Sequence, residues 1–333
     1  MNHAPITDLL ERAMAARQEL MDDRHETAFR LFNGFSEGWP TLVIDVYGST
    51  AILNDYTEAL PAPVPLIQTV CGWLKTRLPW IRVIVLKTRN GKSEAERCGV
   101  ILSGSGCNRR VKEHHIWYAV DLCMNRDASL YLDTRNLREW AWRSLKSKTV
   151  LNTFAYTGSL GVAALAGGAA RVVQLDLNRA FLSLAEESYA LNGLPNNKAN
   201  ILSGDFWPQV TRMKREGERF DCIFLDPPIY SATPKGVLDL AADSARLINK
   251  VRPLINDGGY LIAINNALFL SGKAYLDSLT ALCADGCLSL TELIPVPPDC
   301  AGYPHTTVSA PVTDPAPFNH ATKIAILEVK RKS

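Results

Sequence analysis

The sequence predicts an α/β protein: a doubly wound, largely parallel sheet in the C-terminal part, preceded by a smaller α+β domain. Three observations predict it. From about residue 128 short apolar runs alternate with helical stretches, the pattern of parallel strands joined by crossover helices. Ahead of that point the β-type runs succeed one another with a single helical stretch among them, which favours a mostly antiparallel sheet. With 333 residues and an apolar fraction of 47%, the chain can fill two cores without approaching the composition of a membrane protein.

Residues 1–23 come first. Apolar side chains at helical spacing over 7–21, opening at Thr7 as an N-cap, predict a surface helix packed against the domain on its C-terminal side. This stretch carries acidic residues and has no long apolar core, so it is read as neither a signal peptide nor a membrane span. The cytoplasm is the expected location, with no membrane partner.

Residues 24–127 make the small α+β domain. "TLVIDVYGSTAILNDY" is two β-type runs around Tyr47-Gly48-Ser49, a hairpin, succeeded by a helix near 63–78 and the short segments "WIRVIVLKTR", "CGVILSG" and "HHIWYAVDL". Eight scattered cysteines show no second pair at zinc-site spacing, so no metal is expected and the thiols are read as reduced and mostly buried. The balance of 36 basic and 34 acidic side chains decides nothing about partners, because a nucleic-acid enzyme needs a basic face rather than a basic average.

Residues 128–333 carry the repeated strand and helix pattern. "TVLNTF", "RVVQLD", "ANILSG", "FDCIFLD" and "GYLIAIN" are the strands, with helices such as 179–192 and 235–250 between them, and "CLSLTELIPV" and "TKIAILEVK" close the domain as an antiparallel hairpin. The first strand leads into Gly158 and Gly161, in a turn that either admits a ligand close to the backbone or simply packs. Asp176 closes the next strand, where a carboxylate can accept both hydroxyls of a ribose. Asp205 closes the third, either as an acceptor for an adenine amino group with Phe206 beside it for stacking, or as a helix N-cap.

Asp226-Pro227-Pro228 then ends the fourth strand. Proline fixes the backbone, so a stiff acidic-Pro-Pro turn can hold its carbonyls and carboxylate at the edge of a flat base, with Tyr230 available to stack. A nicotinamide oxidoreductase, which also uses a glycine turn and a ribose-binding carboxylate, has no use for that turn. The bland alternative is that Pro-Pro merely terminates a buried strand.

Taken together, "EGWPTLVIDVYG", "SLYLDTRNLREW", "LNTFAYTGSLGVAALAGGA", "LDLNRAFLSLAEESYALNGL", "FDCIFLDPPIYS" and "PFNHATKIAIL" resemble the class I S-adenosylmethionine (SAM)-dependent methyltransferases that modify bacterial 23S ribosomal RNA at cytosine C5 or guanine N7. The resemblance spans about 35–330 and implies a Rossmann-like class I methyltransferase domain with a seven-stranded sheet, SAM as cofactor and 23S rRNA as partner. By the same resemblance Phe154, Tyr156, Thr157, Gly158 and Gly161 border the methionine part of SAM. Asp176 and Leu177 would hold the ribose, Asp205 and Phe206 the adenine. Asp133 and Arg135 would sit over the cleft or form a salt bridge at a helix start.

Two departures from the family shape the chemistry. Members of the cytosine-5 type carry an RNA-binding PUA domain ahead of the "EGWP" segment, where this chain has a short helix, so RNA contacts are expected from the α+β domain and from basic stretches such as "NRRVKEHH" and "RMKREGER", unless those are plain solvated surface. The cytosine-5 type also needs a thiolate to activate the ring, and "GGYLIAINNALFLS" has none; Asn265-Asn266 instead resembles the guanine-N7 type, unless both asparagines cap the strand end. A nucleophilic ring nitrogen needs only orientation and in-line approach. The reading is therefore direct methyl transfer, with Asp226 and the asparagines holding the base. Its rivals are cytosine-5 transfer with a thiol such as Cys300, and a non-catalytic SAM- or RNA-binding protein of this fold. In the long Pro-rich loop at 295–320, His305 and His320 either touch substrate or serve a structural turn.

Overall fold

The computed structural model describes residues 5–58, 64–233 and 236–331, apart from the side chains of 230–239 and 241. Two compact units emerge: Met1–Asp133 together with Pro297–Pro311, and Thr134–Val296 together with Val312–Ser333.

In the first unit β1 (Ala28–Asn33), β2 (Leu42–Tyr47), β3 (Thr50–Asp55), β4 (Val83–Thr88) and β5 (Val100–Ser103) form a five-stranded sheet in that order. All neighbours are antiparallel except β3 and β4, which the helix Val64–Arg77 joins as a parallel pair. The β2–β3 hairpin turns at Gly48, whose φ of 59° lies in the left-handed region that glycine adopts without strain. β6 (Arg110–Glu113) and β7 (Ile116–Ala119) make a separate hairpin.

The N-terminal helix runs Ile6–Ala16 and lays Leu9, Leu10 and Ala13 on this core. It starts before the expected cap: Pro5 takes the extended cap position and Thr7 falls inside the first turn. It also stops early, at Arg17, because that side chain is drawn inward and is fully buried. Its guanidinium donates to Glu37 at 2.9 and 3.1 Å and to the carbonyls of Ala13, Arg30 and Asp299. Glu37 accepts further from Asn33 N–H at 2.7 Å and from Thr306 Oγ1 at 2.5 Å. Asp299 accepts from Arg30 N–H at 2.9 Å, and Asn33 Nδ2 donates to the Cys300 carbonyl. These bonds bind the middle of the Pro-rich loop into the first unit, so a domain taken as 128–333 from the sequence gives up Pro297–Pro311.

The second unit holds seven strands, β8 (Thr149–Thr153), β9 (Arg171–Asp176), β10 (Ile201–Ser203), β11 (Phe220–Leu225), β14 (Ile255–Asn265), β15 (Leu288–Ile294) and β16 (Lys323–Val329), with a small hairpin of β12 (Tyr230–Thr233) and β13 (Gly236–Asp239). The sheet order is β10-β9-β8-β11-β14-β16-β15. The first five strands are parallel, and β16 runs antiparallel between β14 and β15, the closing hairpin that the sequence predicts. The expected helix at 235–250 begins only at Leu240, because residues 236–239 pair back on 230–233. Chain order reverses between β8 and β11, and in open α/β sheets ligands bind beyond the carboxyl ends of the strands at such a switch.

All eight cysteines are free, but only Cys222 and Cys300 are buried. The other six are half-buried, on helices, beside element ends or, for Cys107 and Cys123, in loops, rather than mostly buried as the composition suggests.

Removing one partner of a buried ion pair strands the other, at a cost of about 3–5 kcal/mol. Arg17→Met is expected to destabilise the chain by that order in chemical denaturation, and the double variant Arg17→Met/Glu37→Met by clearly less.

Candidate active site

The parallel register brings the predicted residues to one edge of the second unit's sheet. Asp176 ends β9, Asp205 comes after β10, Phe154 after β8 and Asp226 after β11, while Asn265 ends β14.

The turn after β8 is the most constrained segment there. Phe154, Tyr156 and Gly158 have φ of 53°, 50° and 75°, so two side-chain-bearing residues sit in a region they rarely adopt. Three bonds hold them: Ala155 N–H to the Leu175 carbonyl at 2.9 Å, Gly158 N–H to the Ala155 carbonyl at 2.7 Å, and Tyr156 N–H to Asp176 Oδ2 at 2.8 Å. Tyr156 rests edge-on against Phe181, and Thr157 is buried.

Gln174, on β9 and fully buried, is a hub that motif reading missed. Its Oε1 accepts from Asn152 Nδ2 at 2.8 Å, and its Nε2 donates to the Gly158 carbonyl at 3.0 Å and to Tyr189 Oη at 2.9 Å. A Cβ on Gly161 would stand 2.3 Å from Gln174 Nε2, and one on Gly158 2.5 Å from Ala185 Cβ. Both glycines are therefore required by packing, whatever else they border. A glutamine among Val172, Val173 and Leu175 in the middle of the strand was the available signal.

Asp176 spends one lone pair of each oxygen on a backbone N–H, from Tyr156 and from Asn178, both at 2.8 Å. Leu177 N–H also bonds to the carboxylate, and since a carboxylate has about four acceptor sites, capacity remains for a ligand hydroxyl. Burial raises its pKa, and the backbone bonds offset that only in part. Leu177 beside it is exposed.

Asp205 caps the helix Phe206–Arg215 through Oδ1, which accepts from Trp207 N–H at 2.8 Å, and its Oδ2 makes no hydrogen bond among the described residues. Phe206 is turned inward and stacks on Phe154, ring centroids 4.7 Å apart, so it packs the core beneath the strand ends. Asp133 and Arg135 are half-buried and fall on either side of the division between the two units, Arg135 as the first residue of a helix.

At the other side of the switch, Pro227 is buried while Asp226 is half-buried and Pro228 and Ile229 are exposed. The Tyr230 backbone lies in β12, and its side chain is outside the described residues. The two asparagines differ. Asn265 is fully buried and its Oδ1 accepts from Ala267 N–H at 3.0 Å, so it caps the strand end. Asn266 Oδ1 is buried with no hydrogen-bond partner among the described residues. Lys323, also buried, donates to the carbonyl of Ala267 at 3.0 Å and of Ala321 at 2.5 Å and so fixes the chain just beyond Asn266. Burial lowers its pKa to about 8. Phe269 stands 82% exposed on that same loop, a large apolar face next to Asn266. His320 Nδ1 accepts from Thr322 N–H and so serves a turn, while His305 is exposed in the first unit.

Among the described residues no cluster of His, Cys, Asp or Glu is placed to hold a metal ion, and no helix is long and apolar enough to cross a membrane.

The S-adenosylmethionine-dependent methyltransferase family matches residues 29–310. Ribosomal RNA large subunit methyltransferase I of Shewanella denitrificans is 29% identical over 287 residues, 84% of this chain and 70% of that one. Ribosomal RNA large subunit methyltransferase K/L of Colwellia psychrerythraea is 30% identical over 72% of this chain and 34% of its own length. Among solved structures, SMU.776, described as a methyltransferase and solved with SAH, shares the fold with a TM-score of 0.83 at 23% identity, covering 97% of this chain and 80% of that one. The family match sets aside the nicotinamide reading of the glycine turn and Asp176.

Two expectations concern SAM and its turn. Asp176→Asn should weaken SAM binding about 10- to 100-fold in calorimetry, the worth of one or two hydrogen bonds to a charged acceptor. Since burial raises the Asp176 pKa and the ionised form is the acceptor, wild-type affinity should fall on acidification sooner than an ordinary carboxylate would dictate, while the variant's affinity stays flat. Gly161→Ala should cost about 1–3 kcal/mol by overpacking, exceeding the ~1 kcal/mol that alanine gains in a helix, and a melting curve should show less loss in a Gln174→Ala background.

Proposed function

The chain belongs to the S-adenosylmethionine-dependent methyltransferase family and is an enzyme that uses SAM, and on that premise we propose that it methylates a base of large-subunit ribosomal RNA at a ring nitrogen of the guanine N7 kind. The rRNA substrate is taken from the names of the relatives. SAM supplies a methyl group on a sulfonium centre, ready for attack by a lone pair.

The observation that carries the nitrogen reading is the buried Oδ1 of Asn266, which has no hydrogen-bond partner among the described residues and comes just after β14, the parallel neighbour of the strand β11 that Asp226 follows. Leu225 pairs with Ala263, so Asn266 lies two residues further along than the level of Asp226, and the reading takes the two as separate acceptors for donors on the edge of one base. Guanine offers N1–H and an exocyclic N2–H on its Watson–Crick edge, whereas cytosine offers only its N4 amine. Held by that edge, guanine turns its N7 lone pair the other way, toward the cofactor side of the cleft. Phe269 supplies an exposed ring for the base to rest on.

The thiol inventory supports the same reading. Cytosine-5 transfer needs a thiolate at the base. Cys222 lies inside β11, fully buried, and burial holds its thiol well above the usual range. Cys283 and Cys287 precede β15, at the opposite edge of the sheet from the strand ends. Cys300 is fully buried in the first unit.

The residues then act by placement. Asp176 and Asp205 fix the cofactor's sugar and base, the 154–158 turn borders its methyl-bearing end, and Asp226 with Asn266 aligns the acceptor; ordered positioning of two reactants is worth a large share of a barrier.

Mass spectrometry of nucleosides from rRNA incubated with the protein and SAM bearing a labelled methyl group tests this. Labelled 7-methylguanosine is expected, and labelled 5-methylcytidine would sink the proposal. Asn266→Ala should lower kcat/KM about 10- to 100-fold, equivalent to losing ~1–3 kcal/mol. Because the orphan Oδ1 costs desolvation without return in the free enzyme, the same variant should melt no lower than wild type.

A further inference from the structure

The first unit contains a cleft of about 260 Å³ far along the sequence from every strand-end residue above, with Arg24, His25, Trp80, Arg82, Arg110 and Trp117 in its lining. His25 stacks on Trp80, ring centroids 4.2 Å apart and planes within 6°. The histidine is held in a left-handed conformation, φ 52°. Asp22 enforces it: its carboxylate accepts from the backbone N–H groups of Arg24, Glu26 and Thr27 at 2.8–3.1 Å. Burial alone would raise the Asp22 pKa, and those bonds outweigh it and hold the group ionised below its ordinary value. A strained side chain maintained by so many bonds points to a use for its position. His25 Nδ1 is buried without a hydrogen-bond partner among the described residues.

The opposite lining is aromatic and cationic. Arg110 lies 4.5 Å and Lys112 5.0 Å from the Trp117 ring centroid. Arg24, Arg82 and Arg110 are exposed, and none of the three makes an ion pair among the described residues. The lining carboxylate, Glu26, has Lys112 at 3.8 Å to balance it.

Three guanidinium groups without a carboxylate partner among the described residues, one of them lying on Trp117, surround one cleft and call for a polyanion with phosphate-like oxygens. The flat guanidinium of Arg110 lying on Trp117, and the His25–Trp80 stack, call for a planar ring. A free inorganic anion uses the first feature alone, and an acidic peptide has no planar ring for the second. We propose that this cleft binds one nucleotide of a single-stranded RNA segment, its phosphate on Arg82 and Arg110 and its base against the aromatic lining. The proposal rests on the RNA reading of the function, and gives the basic stretch "NRRVKEHH" a role that charge alone did not assign.

The test is fluorescence anisotropy of a labelled single-stranded oligoribonucleotide with the full chain, alongside SAM calorimetry, melting curves and the rRNA methylation assay. The double variant Arg82→Ala/Arg110→Ala changes exposed positions only. It should bind RNA at least about 10-fold more weakly, with the slope of log Kd against log salt reduced by roughly 1.4, two charges at ~0.7 each for a single strand. Trp117→Ala should weaken binding roughly 5- to 100-fold with little change in slope, the effect of a lost stacking face. SAM affinity should not change in either. Wild-type affinity and slope in the double variant would overturn the proposal, as would a wild-type chain that binds no oligoribonucleotide. If the variants lose RNA affinity while wild type methylates no rRNA, the cleft stands and the functional reading falls. If wild type methylates rRNA and the variants bind unchanged, the reverse holds.

Discussion

The amide of Gln174 ties together the sheet, the turn and the next crossover helix of the second unit. From the middle of β9 it accepts from Asn152 on β8, donates to the Gly158 carbonyl and donates to Tyr189 on the helix Arg179–Leu191. A buried amide with partners on every side is costly to leave half-satisfied, so its neighbours are specified closely. Gly158 and Gly161 lack side chains because Gln174 and Ala185 occupy that space. With the turn so fixed, Tyr156 N–H has one place to point, and Asp176 accepts it.

Asp176 consequently works in two directions. Oδ2 holds the strained turn through Tyr156 N–H, and Oδ1 holds Asn178 at the start of the next helix, which leaves acceptor capacity on the carboxylate. The burial that raises its pKa also removes competing water, which strengthens hydrogen bonds made there. Asp205 divides its oxygens the same way, one capping a helix and one left over. The proposed function draws on acceptor capacity that the fold does not use, and Asn266 Oδ1 is the limiting case, a buried acceptor with no hydrogen-bond partner among the described residues.

The first unit is organised by charge rather than by motif. Arg17 and Glu37 neutralise each other out of water, and their spare donors and acceptors gather the N-terminal helix, β1 and residues 297–306. Asp22 performs a smaller version of this for the 24–27 loop. In both places a carboxylate collects N–H groups that would otherwise be buried without partners.

Hydrophobic periodicity and turn chemistry are local, and they determined by themselves the seven-stranded sheet, its closing antiparallel hairpin, the β2–β3 turn at Gly48 and the alignment of Asp176, Asp205 and Asp226 at strand ends, because a parallel strand delivers its last residue to the same edge every time. Composition and spacing carry no information about which of a side chain's faces is used. Tertiary structure alone decided that Phe206 packs under Phe154, that Asn265 caps while Asn266 is left over, that Lys323 anchors the chain just beyond them, and that residues 297–311 join a unit hundreds of positions away. Apart from the Asn265 cap on Ala267, those outcomes depend on partners remote in the chain, and the free energy of a buried polar group is set by such partners more than by its sequence neighbours.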